Sequence, residues 1–234
     1  MPLVQTDTLT IFFAHIPKAG GTSVEAYLEA RFGPLRMMDM RPRGHKSSVF
    51  TTPTHLSAED VAELLPQRVD YSFAVVRDPL DRILSEYRYQ KRMTRTSRLS
   101  FSTWLRLALK GAQIDPRVYD NHIRPQVDLI PEDAEVFRLE DGFDALIARL
   151  DEIEGKPSAA EMPRLNAREK QEIGINAEDA ALIAKFYGQD YQRLGYTPPN
   201  EASLKSDAFA SVRSPFAALL AHLVVFKQRW NWAR

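Results

Sequence analysis

The sequence predicts an α/β fold, a parallel sheet flanked by helices. Three observations predict it. Short apolar, β-rich runs occur at 9–14 (LTIFFA) and 71–76 (YSFAVV), and 134–139 (AEVFRL) reads as a third strand. Continuous apolar runs of this length suit strands buried on both faces of a parallel sheet. Each run is followed by a segment whose apolar residues recur at helical spacing, and strands alternating with helices imply parallel pairing through crossovers. A chain of 234 residues is long enough for one such domain, and a single domain over 1–234 is expected.

The elements follow in order. The strand at 9–14 leads through a glycine-containing turn into a helix at 22–32, with Val24, Tyr27, Leu28 and Phe32 on one face and Gly33-Pro34 as its stop. Residues 34–54 are rich in Pro, Gly, Ser and Thr and read as a long loop, of the length that in compact domains tends to carry function. Ser57 caps a short helix ended by Pro66, with Asp60 three positions on. After the second strand, Asp78 is a helix cap and Pro79 opens the first turn. Ser100 caps a further helix expected to end near Gly111. The third strand precedes a helix with Phe143, Leu146, Ile147 and Leu150 inward. Residues 155–167 read as loop, and Asn176 opens a helix running to about Arg193. An amphipathic helix over 215–232 is expected to dock on the domain or on a partner.

Composition narrows the function. Lys and Arg number 31, Asp and Glu 31, so the formal net charge is zero, which argues against a general nucleic-acid binder. No run approaches the roughly 18 apolar residues of a membrane span. The first ten residues lack the pattern of a signal peptide. The absence of cysteine excludes disulfides and thiolate metal sites and suits a reducing compartment. Charge is uneven along the chain: residues 82–98 hold six Lys/Arg and one acid, and residues 132–154 hold nine acids and two arginines. Either stretch suits a solvated helix face, and the basic one also suits the border of an anion site.

The chemistry concentrates at residues 15–28, HIPKAGGTSVEAYL. A strand that turns into a helix through glycines aims backbone N–H groups at one point, where the helix dipole adds partial positive charge. Gly20 and Gly21 permit close approach, Thr22 and Ser23 offer hydroxyls, and Lys18 brings a full charge. This suits a phosphate or sulfate. The triphosphate loop, GxxxxGK followed by Ser or Thr, places its lysine after the last glycine and a hydroxyl on Mg²⁺. Here the lysine comes first and the spacing differs, so a nucleotide kinase is disfavoured.

Pro17-Lys18-Ala19-Gly20-Gly21-Thr22-Ser23 resembles the 5′-phosphosulfate loop of the sulfotransferases, in the branch that includes heparan sulfate 2-O-sulfotransferases and bacterial relatives. Val76-Arg77-Asp78-Pro79-Leu80-Asp81-Arg82-Ile83-Leu84-Ser85-Glu86-Tyr87 is similar to the family's 3′-phosphate motif, whose key members map to Arg77 and Ser85. Asn121-His122-Ile123-Arg124-Pro125-Gln126 and Phe137-Arg138-Leu139-Glu140-Asp141 look like further segments common in this branch. The resemblance spans about residues 10–197. It implies a P-loop-like nucleotide-binding fold, 3′-phosphoadenosine 5′-phosphosulfate as donor, and sulfuryl transfer to a hydroxyl, with a saccharide as the expected acceptor. Animal members sit in the Golgi behind a membrane anchor; with no such segment visible, a bacterial cytoplasmic enzyme is expected. The oligomeric state is left open.

Two junctions of this kind, at the C-terminal ends of parallel strands, lie where an α/β sheet would hold a nucleotide with two anionic ends. An arginine makes paired hydrogen bonds to phosphate. Lys18 is expected to stabilise charge building on the leaving phosphate. Of five histidines, His15, His45, His55, His122 and His222, His55 is the expected base. The resemblance sets the catalytic histidine between the two nucleotide motifs, and Thr54-His55-Leu56-Ser57 fits that position. His45, also between the motifs, is its rival. His122 is read as lining the acceptor side or holding a loop, His15 as structural and His222 as packed in the core. Glu25 stays open as a base, because other sulfotransferase branches use a glutamate. No metal is expected. The alternative is a non-catalytic domain that binds nucleotide or a partner on the same fold.

Overall fold

The computed structural model describes residues 1–38, 51–64, 69–93, 99–163, 165, 172–199 and 222–224. The elements are β1 (Leu3–Gln5), β2 (Thr10–Ala14), α1 (Gly21–Phe32), α2 (Ala58–Leu64), β3 (Tyr71–Val76), α3 (Pro79–Met93), α4 (Phe101–Ile114), β4 (Glu135–Arg138), α5 (Asp144–Glu154), α6 (Ala177–Phe186) and α7 (Gly188–Leu194). They group into two compact units. The first holds β1, β2, α1, α2, β3, β4 and α5; the second holds α3, α4, α6 and α7.

In the first unit the strands form one sheet in the order β1-β2-β3-β4. The three expected strands pair in parallel, Phe13 opposite Phe73 and Val75 opposite Phe137. The unexpected strand is β1, which pairs antiparallel to β2 with Val4 opposite Ile11, so the sheet is mixed. With three residues (LVQ), β1 is too short to show a period of its own. Ile11, Phe13, Phe73 and Val75 share one face and are buried with Val24, Tyr27 and Leu28 of α1 and Leu146 and Leu150 of α5. Phe12, Ala14, Ala74 and Val76, on the other face, are buried too. This is why the runs read as continuously apolar.

Helix α2 starts as expected. The Asp60 N–H donates to Ser57 Oγ at 3.1 Å, and the Ser57 N–H donates back to Asp60 Oδ2 at 2.9 Å. The two residues thus satisfy each other's donors as in a capping box, with aspartate in the usual glutamate's place.

In the second unit, Asp78 Oδ1 accepts from the Asp81 N–H at 3.0 Å at the head of α3. Ile83, Leu84 and Tyr87 pack with Trp104, Leu105 and Ala108 of α4 and Ala180 and Ile183 of α6. Two boundaries differ from expectation. Helix α4 runs past Gly111 to Ile114; the glycine is helical there and faces Val118, whose Cγ2 would lie 3.4 Å from an added Cβ, ordinary contact distance. The helix expected from Asn176 to Arg193 is two helices, broken at Tyr187, whose φ of −98° and ψ of 24° leave the α-helical region. Asn176 caps the first of them, its Oδ1 accepting from the Asp179 N–H at 2.8 Å.

The carboxylate of Asp190 is buried and accepts from the N–H groups of Gln126 (2.9 Å) and Val127 (3.0 Å). Burial pushes its pKa up, against the opposing pull of Arg82 and these hydrogen bonds. Of the helix expected over 215–232, residues 222–224 are described and helical; His222 is exposed there, not packed, and the remainder lies outside the described residues. No helix among the described residues is long and apolar enough to cross a membrane.

Candidate active site

Parallel pairing of β2, β3 and β4 brings their C-terminal ends to one edge of the sheet. The chain leaving β2 forms the turn Ile16–Ala19, closed by the Ala19 N–H donating to the Ile16 carbonyl at 3.3 Å. Lys18 sits inside it with φ 67°, a left-handed conformation uncommon for a residue with a side chain. Gly20, with φ 86°, precedes the first helical residue of α1 and, as the cap residue, offers no side chain to that helix start. No acid lies in the first turn of α1. The positive dipole end of the helix is therefore not countered by an acid of its own first turn, while the Ser23 and Val24 N–H groups already donate to the Gly20 carbonyl.

The two glycines have separate reasons. Gly20 needs its positive φ, and a Cβ there would also meet Leu139 Cδ1 at 2.8 Å. That leucine follows β4, so the segment Phe137–Asp141 abuts the loop. Gly21 is helical, but a Cβ on it would lie 2.2 Å from His15 Nε2, because the imidazole covers that position.

The remaining expected donor residues divide. Pro17 and Ala19 are buried, Lys18 is partly exposed and Thr22 is exposed. Ser23 is turned inward, and its Oγ accepts from the Leu165 N–H at 3.1 Å. Arg77, the first residue after β3, donates from Nη1 to the Lys18 carbonyl at 3.3 Å. The two motifs, far apart in sequence, are thus joined at this edge by a hydrogen bond from the Arg77 guanidinium to the Lys18 main chain. Ser85 lies in the second turn of α3, half-buried, in the second unit.

His55 ends a short 3₁₀ turn, Pro53–His55, and is 7% exposed. Its Nδ1 lies 3.5 Å from Thr52 Oγ1. Its ring meets the ring of His15 edge to face, with centroids 5.1 Å apart and planes at 89°. His15 in turn holds Glu25, Nδ1 to Oε1 at 2.5 Å. His15 was expected only to be structural and Glu25 only as a rival base; the fold makes them a pair beside His55. The one legible signal was a histidine and a glutamate flanking the same turn. His45 lies outside the described residues. His122, in the second unit, pairs its Nδ1 with the buried Glu86 Oε2 at 2.7 Å.

The fold is α/β, and its site joins a strand-to-helix turn, a lysine inside that turn and an arginine bonded to the lysine's main chain, an arrangement whose chemistry suits an anion. The sulfotransferase family model matches residues 1–197, and the chain belongs to that family. No curated protein and no solved structure matches it.

Proposed function

We propose that the protein transfers a sulfuryl group from 3′-phosphoadenosine 5′-phosphosulfate to a hydroxyl of a saccharide, within the branch that includes the heparan sulfate 2-O-sulfotransferases. One observation carries the reading. The Lys18 carbonyl accepts from Arg77 Nη1, so the guanidinium of the second motif reaches the turn that leads into α1. The N–H groups there suit the 5′-phosphosulfate, with Pro17, Ala19, Gly20, Gly21, Thr22 and Ser23 shaping the loop around it. Arg77 and Ser85 are assigned to the 3′-phosphate, the feature that distinguishes this donor from a simple adenylate.

In the reaction, the acceptor oxygen bonds to sulfur as the bond from sulfur to the 5′-phosphate oxygen breaks. The electron pair stays on that oxygen, giving 3′-phosphoadenosine 5′-phosphate, and Lys18 stabilises its charge. His55 takes the hydroxyl proton; histidine's ordinary pKa of about 6.5 suits that task near neutrality. A cytoplasmic setting, which a chain without cysteine suits, belongs to the same proposal.

The test is acceptor-dependent release of 3′-phosphoadenosine 5′-phosphate across a panel of saccharides. His55→Ala should lose roughly 100- to 10,000-fold in rate while still binding the product nucleotide. Nucleotide binding without turnover on any hydroxyl acceptor would instead make the chain a binding domain. Retention of activity by His55→Ala, with Glu25→Gln or His45→Ala inactive, would move the base elsewhere.

A further inference from the structure

His15 does more in this fold than fill space. It is the first residue after β2, and its ring stacks on Phe13 with centroids 5.6 Å apart and planes at 24°. The same ring occupies the place of a Gly21 side chain, with Nε2, Cδ2 and Cε1 all within 2.5 Å of where a Cβ would sit. One imidazole therefore bridges the exit of the strand and the first residue of the helix, the two ends of the turn that contains Lys18. Its Nδ1 is anchored by Glu25 on the second turn of α1. Both side chains are largely shielded, 10% and 14% exposed, where a hydrogen bond to a carboxylate is stronger than at an open surface. The third neighbour is His55, whose ring is perpendicular to that of His15.

An imidazole has two rotational freedoms and two tautomers. The carboxylate of Glu25 removes both ambiguities for His15: Nδ1 carries the hydrogen and the plane of the ring is set. A ring so fixed presents a rigid wall to His55, whose own proton-accepting nitrogen must be aimed at an acceptor. We propose that Glu25 and His15 are a positioning pair, which locks the turn around Lys18 to the His55 imidazole so that donor loop and base keep one geometry. Neither residue exchanges a proton with substrate; they act through His55. The inference rests on the reading of His55 as the base.

Four variants separate the parts of the pair. His15→Phe keeps a ring against Gly21 and His55 but loses the bond to Glu25. His15→Asn keeps a donor for Glu25, since the amide nitrogen can stand where Nδ1 stood, but loses the ring. Glu25→Ala removes the anchor, and Glu25→Gln retains an acceptor and serves as the conservative rescue. His15→Phe, His15→Asn and Glu25→Ala should each lower kcat about 10- to 100-fold, the scale of loss when a reacting group is held slightly out of place. Calorimetric affinity for 3′-phosphoadenosine 5′-phosphate should stay within about threefold, and Glu25→Gln should recover most of kcat.

The deciding measurement is a double-mutant cycle. In a His55→Ala background, Glu25→Ala and His15→Phe should cause no further loss, because a pair that works through His55 has nothing left to position. Losses that multiply in that background would overturn the inference while leaving His55 as the base. Equal losses in nucleotide affinity and in kcat would also overturn it, by making the pair a brace for the donor loop alone. High activity of His55→Ala by itself would sink the reading of the base, and the pair's role with it.

Discussion

Replacing Gly21 by alanine tests the packing around the turn. Gly21 is the first residue of α1, its φ is not positive, and by propensity alone Gly→Ala in a helix should stabilise by about 0.5–1 kcal/mol. The structure reverses that sign. The new methyl would fall 2.2 Å from His15 Nε2 and 2.5 Å from two further ring atoms. No real Cβ approaches so closely, so the ring must move. It is held by Glu25, stacked on Phe13 and 8% exposed, and it has little room to do so. Forcing a methyl into a packed site typically costs about 1–3 kcal/mol. Set against the propensity gain, a net loss of about 1–2 kcal/mol is expected, which for a chain of this size lowers the unfolding midpoint by roughly 2–8 °C. Thermal and denaturant unfolding of the wild type, Gly21→Ala, His15→Ala and the double variant make up the assay. With His15→Ala the obstruction is gone, and adding Gly21→Ala should then be neutral or stabilising. A Gly21→Ala protein as stable as wild type, or equal losses with and without the imidazole, would refute the argument.

Three further outcomes are expected. 3′-Phosphoadenosine 5′-phosphate should bind on the order of 10- to 100-fold more tightly than adenosine 5′-phosphate, and Arg77→Ala should erase most of that preference; calorimetry with both nucleotides checks it, and equal wild-type affinities would remove Arg77 and Ser85 from the 3′-phosphate. Lys18→Ala should lower turnover by roughly 100- to 1,000-fold with a smaller effect on donor affinity, measured by saturation kinetics; a collapse of affinity with turnover intact would make the lysine a binding residue only. Asp190→Ala should cost about 2–4 kcal/mol in denaturant unfolding, because the N–H groups of Gln126 and Val127 lose their acceptor, and a change under 0.5 kcal/mol, taken as roughly the scale of an ordinary surface substitution, would show that water replaces it.

What the sequence by itself determined was local. Strands β2 and β3 were legible because buried parallel strands are short and apolar throughout; β4, with Glu135 and Val136 exposed, was legible only from its short Val-Phe core ahead of a helical pattern, and helix starts at Ser57, Asp78, Ser100 and Asn176 because a capping side chain bonds a backbone N–H three residues away. The turn around Lys18 was legible for the same reason, since its lysine and glycines are neighbours in the chain. Strand β1 escaped because three residues have no period, and its place depends on pairing with β2. The break at Tyr187 escaped because apolar spacing continues on both sides of it. Only the tertiary structure decided why Gly21 is glycine, since the reason is a ring on the far side of the turn. It also decided that Arg77 bonds the Lys18 carbonyl and that His15, Glu25 and His55 stand together. These are contacts between strand ends and loops, set by the register of β2 against β3 and by packing, and no spacing along the chain encodes such distances.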